Sequence, residues 1–256
     1  MEADHAENAG YSFAAFVSIA SASPLRAEAV DLELVLLADS TGSIGDDEIY
    51  FQRKGYADAL AHSDVLDAIE TGRHQRIAVT YVEWGDMTSQ VTVVPWTVIS
   101  SRADAEGFGL KLMDEPRLAR GRNAIGSAIA YGAKEIDTNA FEGARKVIDF
   151  SADSANSWNG LPLAATRQMV LDKGITINGL AILCRTCSSG RPVSYDLEKA
   201  FEETIIGGDE SFVVTAENPR SFSMAVRRKL ILEIAGPAYA PGILAAPDDF
   251  MRRTYD

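Results

Sequence analysis

Apolar and polar residues follow one another along this chain in a pattern that predicts strands and helices in turn. From residue 30 onward, short apolar runs rich in β-branched residues alternate with stretches of helical spacing. Such alternation indicates a mostly parallel sheet with helices on both faces. The pattern therefore predicts one doubly wound α/β domain with a Rossmann-like sheet.

Six strands are predicted, over residues 32–38, 76–84, 91–96, 146–151, 175–182 and 211–214. The link between the second and third strands is too short for a parallel crossover, so we expect an antiparallel hairpin there. Pro95 places the third strand at an edge of the sheet. Helices are predicted from Asp46 onward and over residues 102–114, 123–138, 161–172 and 222–234.

Two of these helices have a predicted apolar face. In the first helical region, the residues expected to point toward the core are Ile49, Phe51, Tyr56, Leu60 and Val65. In the closing helix they are Phe222, Ala225, Val226, Leu230 and Ile234.

Oxygen-bearing side chains lie on three predicted loops at the carboxyl edge of the sheet. Asp39, Thr41 and Ser43 come directly after the first strand, at spacing i, i+2 and i+4. Asn123 precedes a helix and Asp153 follows the fourth strand. Because open α/β sheets place their sites at this edge, we expect the five side chains to converge. Such hard oxygen donors suit Mg²⁺ or Mn²⁺ better than zinc.

Several of these residues have simpler interpretations. Asp39 and Ser43 could cap the following helix, and Asn123 is expected to cap its own helix in addition to any metal role. Ser40 and Glu83 are candidates for supporting the ligands without contacting the ion. A carboxylate at the end of a strand, with no further role, is the simpler interpretation of Glu83.

Arg117, Arg120 and Arg122 form a basic loop ahead of the helix that Asn123 starts. These three arginines could steer an acidic partner toward the metal. A solvated loop without such a role is the simpler interpretation of the same residues.

The motif Asp39-x-Thr41-x-Ser43 resembles the metal-ion-dependent adhesion site (MIDAS) of von Willebrand factor type A (VWA) domains, and Asp153 falls where that family has its later aspartate. The resemblance covers about residues 31–235. Five short sequence segments are similar to one bacterial branch of VWA-like proteins, which is a domain of unknown function. These segments are residues 76–84, 94–97, 174–182, 206–208 and 227–230.

This resemblance implies a metal site that binds a protein ligand through the ligand's Asp or Glu. It also implies that Thr41 and Ser43 coordinate directly, while Asp39 and Asp153 help to hold the ion and its waters. Asn123 departs from the family pattern, which has threonine at this position. An amide oxygen can ligate a hard cation, but the side chain is longer and lacks the hydroxyl.

Charge and motif content narrow the function. The chain has 24 Lys and Arg against 37 Asp and Glu, a net charge of −13, which disfavours nucleic acid and anionic lipid as partners. No apolar run approaches the length of a membrane span. We therefore predict a metal-dependent protein-binding module and not an enzyme. The first alternative is a metal-free interaction scaffold. The second is a metal-dependent hydrolase, for which no general base is evident in the sequence.

Residues 1–29 are expected to be a signal peptide or a disordered leader. An apolar stretch over residues 11–20 precedes an A-x-A cleavage signature at Ala27-Glu28-Ala29, although the start is acidic where a signal peptide is usually basic. The signature favours export to the periplasm or the outside of the cell. In that setting Cys184 and Cys187 are expected to form a local disulfide, with a redox-active pair as the alternative. Residues 236–256, rich in Pro, Ala and Gly, are expected to form a weakly ordered tail beyond the domain of residues 30–235.

Overall fold

A computed structural model of the chain describes residues 27–183, 194–217 and 219–236. In chain order the strands are β1 (Glu28–Asp39), β2 (Ile77–Trp84), β3 (Gln90–Ile99), β4 (Phe141–Ala152), β5 (Thr176–Ile182) and β6 (Val213–Ala216). The helices are α1 (Asp46–Leu60), α2 (Ser63–Glu70), α3 (Arg102–Asp114), α4 (Ile125–Thr138), α5 (Leu163–Leu171), α6 (Leu197–Thr204) and α7 (Pro219–Ala235).

The strands form one sheet in the order β3-β2-β1-β4-β5-β6. β1 lies at the centre and pairs in parallel with β2 and with β4, and β5 and β6 continue the parallel half. β3 pairs with β2 in the antiparallel direction and is an edge strand. The predicted doubly wound sheet with one antiparallel edge strand is confirmed.

Helices cover both faces of the sheet, because alternate side chains of its central strands are apolar on both sides. Leu32, Leu34 and Leu36 of β1 pack in one core cluster with side chains of α1, α2, α3 and α7. Val35 and Leu37 pack in the other with side chains of α4, α5 and α6. The unbroken apolar run of β1 is thus explained by burial on two faces.

The first helical region differs from its prediction in two ways. It is two helices, since α1 ends at Leu60 and α2 begins at Ser63, which places Val65 in α2. Phe51 is 48% exposed, so its predicted inward orientation is wrong. The buried face of α1 instead includes the polar residues Gln52 and Arg53, and a search for apolar residues alone misses that face.

The closing helix has the predicted inner face. All five of its predicted apolar positions are buried. The same helix also buries Lys229 and Glu233, which the sequence pattern did not indicate as interior positions. The Lys229 ammonium lies 2.8 Å from Asp149 Oδ1 of β4 and also contacts Glu233. α7 is therefore joined to the central sheet by a buried charge cluster as well as by apolar packing.

Some predictions fall outside the described residues. These are the disulfide of Cys184 and Cys187, the leader before residue 27 and the tail after residue 236. β1 begins at Glu28, so cleavage after Ala29 would remove its first two residues. Within the described ranges, no helix has both the length and the apolar character needed to cross a bilayer. α6 was not predicted at all.

Candidate metal centre

Asp39 and Asp153 are brought together by the pairing of two neighbouring strands. β1 and β4 run in parallel with Ala38 opposite Ser151, so both chains leave the sheet at the same edge. The chain turns toward α1 after Asp39 and toward α5 after Ala152, and these helices cover opposite faces of the sheet. This is the switch point at which doubly wound sheets form their crevice.

The loop of residues 39–43, called the motif loop below, folds so that its oxygens lie together. Asp39 is fully buried, and its Oδ1 accepts a 2.7 Å hydrogen bond from the Thr41 backbone N–H. The hydroxyls of Thr41 and Ser43 lie 3.1 Å apart. The Ser43 hydroxyl also lies near enough to the Asp153 carboxylate to lower its pKa. Four of the five predicted ligands, Asp39, Thr41, Ser43 and Asp153, thus lie together.

The two carboxylates are in an unfavourable environment for anions. Burial, and then the nearby charge of Asp153, raise the pKa of Asp39 to about 7. Burial also raises the pKa of Asp153, although the nearby Ser43 hydroxyl opposes that rise. Within the described residues, Asp39 Oδ2 and Asp153 Oδ1 are buried without a hydrogen-bond partner. Buried unpaired oxygens of like-charged groups favour either a proton or a bound cation.

The residues present fit a hard divalent cation. The described ranges contain no group of three or more His, Cys, Asp or Glu side chains that could hold a metal ion. The candidate site brings two carboxylates, those of Asp39 and Asp153, beside two hydroxyls. Hydroxyl and amide oxygens complete such a set for Mg²⁺ or Mn²⁺, which usually keep several waters. The donors do not form the nitrogen and sulfur set that structural zinc sites prefer.

Asn123 lies two residues after Gly121, whose carbonyl accepts from the Gly42 N–H of the motif loop, and no described hydrogen bond joins the Asn123 side chain to the other four predicted ligands. The Asn123 carbonyl accepts a 3.1 Å hydrogen bond from the Trp158 N–H, and its side chain is largely buried. Its φ of 32° lies in the left-handed region, which asparagine tolerates and β-branched residues strongly disfavour. The backbone here therefore explains why asparagine stands where the VWA pattern has threonine. The predicted capping role is wrong, because the N-cap of α4 is Ala124.

Ser40 supports the motif loop from the side of the basic loop (residues 117–122). Its hydroxyl donates to the Ala119 carbonyl at 2.8 Å and accepts from Arg117 Nε at 3.0 Å. Arg117 Nη2 donates to the carbonyls of Ser40 and Thr41, and Arg117 Nη1 donates to Asp46 Oδ1. The interpretation of Arg117 as solvated is wrong, since only 9% of its side chain is exposed.

Glu83 is fully buried and forms an ion pair, so it is more than a carboxylate at the end of a strand. Its Oε1 lies 2.8 Å from Arg53 Nε of α1. The same guanidinium donates to three backbone carbonyls between α3 and the basic loop, those of Leu112, Glu115 and Pro116. Glu83 thus orients Arg53, and Arg53 fixes the segment that leads to the basic loop. Arg53 of α1 and Glu83 of β2 are thus polar side chains that face the interior and support the loops of the site.

The loops around the candidate site also hold one another. The Gly42 N–H donates to the Gly121 carbonyl at 2.9 Å, and the Asp86 N–H donates to the Arg120 carbonyl. Gly121 has a φ of 139°, and a Cβ there would lie 2.5 Å from the backbone nitrogen of Asp86. Only glycine fits this position. Asn159 Nδ2 donates to Asp86 Oδ1 and joins the loop after Asp153 to the same assembly.

Comparison with protein-family models shows to which family the chain belongs. A family model described as "Protein of unknown function (DUF1194)" matches residues 29–238. The chain belongs to the DUF1194 family. No curated protein matches the sequence.

The fold of this DUF1194 protein is that of VWA domains, as solved structures show. Proximal thread matrix protein 1 from the mussel byssus, with a zinc-occupied MIDAS motif, aligns with a TM-score of 0.57 and 17% identity over 82% of this chain and 49% of that chain. The vWF domain of the type V pilus tip protein Mfa5 from Porphyromonas gingivalis aligns with a TM-score of 0.51 and 10% identity over 78% and 94% of the two chains. At these identities the likeness extends to the fold alone, and the chain spans about half the length of the mussel protein.

Proposed function

We propose that this DUF1194 protein is an exported protein-binding module. It uses a divalent cation to capture an acidic residue of a partner protein. One observation carries the proposal: Asp39 and Asp153, two buried carboxylates with unpaired oxygens, meet beside two hydroxyls at the switch point of the sheet.

Each residue has a role that follows from its position. Asp39 and Asp153 supply the negative charge that attracts the ion, and Asp39 also fixes the turn through its bond to the Thr41 N–H. Thr41 and Ser43 offer neutral hydroxyl oxygens, and Asn123 offers an amide oxygen from the adjoining loop. Mg²⁺ or Mn²⁺ bound here would supply a Lewis-acidic position for an oxygen of the partner.

Protein capture is favoured over catalysis because of the charges that surround the site. Of the nearby ionisable groups, Arg117 bonds to the motif loop and to Asp46, and Glu83 pairs with Arg53. Glu48, whose charge raises the pKa of Asp153, accepts a hydrogen bond from the Gly45 N–H at the start of α1. These contacts commit the three groups to supporting the loops. A set of neutral oxygens with only two carboxylates leaves the ion electrophilic and suited to a partner's Asp or Glu.

Two fold relatives support a role of this kind outside the cell. One is a matrix protein of the mussel byssus whose MIDAS motif holds zinc, and the other is a tip protein of a pilus. The ligands of these two relatives do not identify the partner of this chain. We expect the loops around its own candidate site to determine which partner it binds.

The first test is calorimetric titration of the full chain with Mg²⁺, Mn²⁺ and Zn²⁺. We expect saturable binding of Mg²⁺ or Mn²⁺ that is lost in Asp39→Asn and in Asp153→Asn. Glu106→Gln is the matched control, because Glu106 is an exposed acid of α3 away from the site and its loss changes the net charge equally. Absence of binding in the unmodified chain, or equal binding in Asp39→Asn, would sink the proposal in favour of a metal-free scaffold.

Partner capture is tested separately. Proteins retained by the immobilised chain in Mg²⁺ should be released by EDTA and should not be retained by Asp39→Asn. A retained protein that neither EDTA nor Asp39→Asn affects would be bound through another surface.

A further inference from the structure

A cleft of about 320 Å³ lies next to the candidate metal site, between the first turns of α1 and the segment from the end of α3 to the basic loop. Its size is at the lower end of the range for ligand pockets. The side chains that line it include Asp46, Ile49, Tyr50, Met113, Arg117 and Arg120. The cleft thus has an apolar wall and a basic wall.

The cleft and the metal site share one side chain. Arg117 Nη2 donates to the Thr41 carbonyl at 3.0 Å, on the motif loop, and Arg117 Nη1 donates to Asp46 Oδ1 at 2.8 Å, on the rim of the cleft. A single guanidinium therefore separates the two places. A short segment of a partner that contacts one can reach the other.

The basic wall is unusual on a chain with a net charge of −13. Arg53 also lines the cleft, but its charge is balanced by Glu83. Arg117 pairs closely with Asp46, the acid among the lining residues. Arg120 remains 63% exposed and has a 3.9 Å contact with Asp46 that is long for an ion pair. Arg120 is thus the cation of the cleft that an incoming group can best use.

The apolar wall limits what that group can be. Tyr50 of α1 is 52% exposed and lines the same cleft as Arg120. A side chain with an apolar stem and an anionic end satisfies both walls, since a carboxylate pairs with a guanidinium while its methylenes contact the ring. A wholly apolar side chain would leave Arg120 to be desolvated without compensation.

We propose that this cleft binds a second carboxylate of the same partner segment, so that the partner presents two acidic residues, one to the cation and one to Arg120. In an extended segment, residues i and i+2 point to the same face about 7 Å apart, a span suited to adjacent subsites. The proposal rests on the metal-dependent capture proposed above.

The test measures fluorescence anisotropy of three labelled peptides with the full chain in Mg²⁺ or in EDTA. One peptide has a single Asp in a Gly-Ser background, the second has Asp-Ser-Glu, and the third has Asp-Ser-Gln. We expect the two-acid peptide to bind about 5-fold more tightly than the others in Mg²⁺, as one partly exposed charge pair allows. Arg120→Ala should remove this advantage and leave single-Asp binding unchanged.

Arg122→Ala is the matched control, since Arg122 is an exposed arginine of the same loop that does not line the cleft. Arg120→Ala should fold, because residue 120 is joined to Ser89 and Asp86 by hydrogen bonds of its backbone, which the substitution keeps. A charge exchange completes the test: Arg120→Glu should prefer Asp-Ser-Lys over Asp-Ser-Glu.

The outcomes separate this proposal from the one on which it rests. Equal affinity for the one-acid and two-acid peptides, or an advantage lost equally in Arg122→Ala, overturns the second subsite and leaves metal capture intact. Failure of all peptides to bind a chain that calorimetry shows to be metal-loaded also overturns it. A two-acid advantage that persists in EDTA with no calorimetric metal binding would retain the Arg120 subsite and overturn the metal-dependent function.

Discussion

Replacing Asp39 by Asn should stabilise the metal-free protein at alkaline pH, although Asp39 is the central residue of the candidate site. Its pKa is about 7 in the folded chain and ordinarily 3.8, because the carboxylate is buried near Asp153. Between these two values the folded state holds a proton that the unfolded state has released. Stability contributed by this group therefore falls as pH rises from about 4 to 7 and then levels off.

The size of the effect follows from the pKa. From pH 5 to pH 8, across the pKa of Asp39, the wild-type chain should therefore lose about 2–3 kcal/mol of stability relative to Asp39→Asn, at about 1.4 kcal/mol per pH unit below that pKa. Taking the difference between two pH values removes the hydrogen bond of the Thr41 N–H, which both side chains can accept. Mg²⁺ at 100 times its Kd should add about 2.7 kcal/mol to the wild type and nothing to the variant, a gain that offsets this loss.

Urea denaturation of the wild type and of Asp39→Asn, at pH 5 and pH 8 and in EDTA or Mg²⁺, measures the free energy of unfolding under each of the four conditions. Glu106→Gln controls for the loss of one negative charge from an acidic chain. The reasoning is refuted if wild type and Asp39→Asn have parallel pH dependences in EDTA, or if the variant loses more stability than the wild type on going from pH 5 to pH 8.

Three further predictions concern the supports of the site and of the sheet. Asn123→Thr should destabilise the fold by about 1–2 kcal/mol, because the backbone of residue 123 is in the left-handed region, which threonine disfavours. Asn123→Gly should not destabilise it. A urea titration in which the threonine variant is as stable as the wild type contradicts this prediction. Arg117→Ala should cost about 2 kcal/mol and weaken Mg²⁺ binding about 10-fold, because the carbonyls of the motif loop lose their donors; Arg122→Ala, measured by the same calorimetry, should change neither. Lys229→Met should cost about 3–5 kcal/mol at pH 8, because it leaves two buried carboxylates uncompensated. The cost should be smaller at pH 5, because burial raises the pKa of Glu233 to about 7 and also raises the pKa of Asp149. A loss that does not shrink on acidification argues against this account.

The sheet could be predicted from the sequence because its signals are local and redundant. Each central strand is an apolar run, and a short link fixed the antiparallel hairpin of β2 and β3. The convergence of Asp39 and Asp153 followed from the same topology, since residues after adjacent parallel strands share an edge. Whether these residues bind metal remains a prediction.

The supports of the site could not be predicted, because they are polar residues that face inward. Arg53, Arg117 and Lys229 look like surface residues in a pattern that sorts positions by polarity, yet each is buried against a specific carboxylate or carbonyl. The backbone conformation of Asn123 was equally hidden, since a positive φ comes from the contacts of three loops and not from its neighbours in the sequence.

The two edges of the sheet have a consequence for how this protein can meet other chains. β6 is four residues long, and β3 carries Pro95 and pairs with β2 through two register shifts near Tyr81. Short, irregular or proline-bearing edges are poor templates for a further strand. Both edges of the sheet formed by the described residues are therefore unfavourable sites for strand addition by another chain.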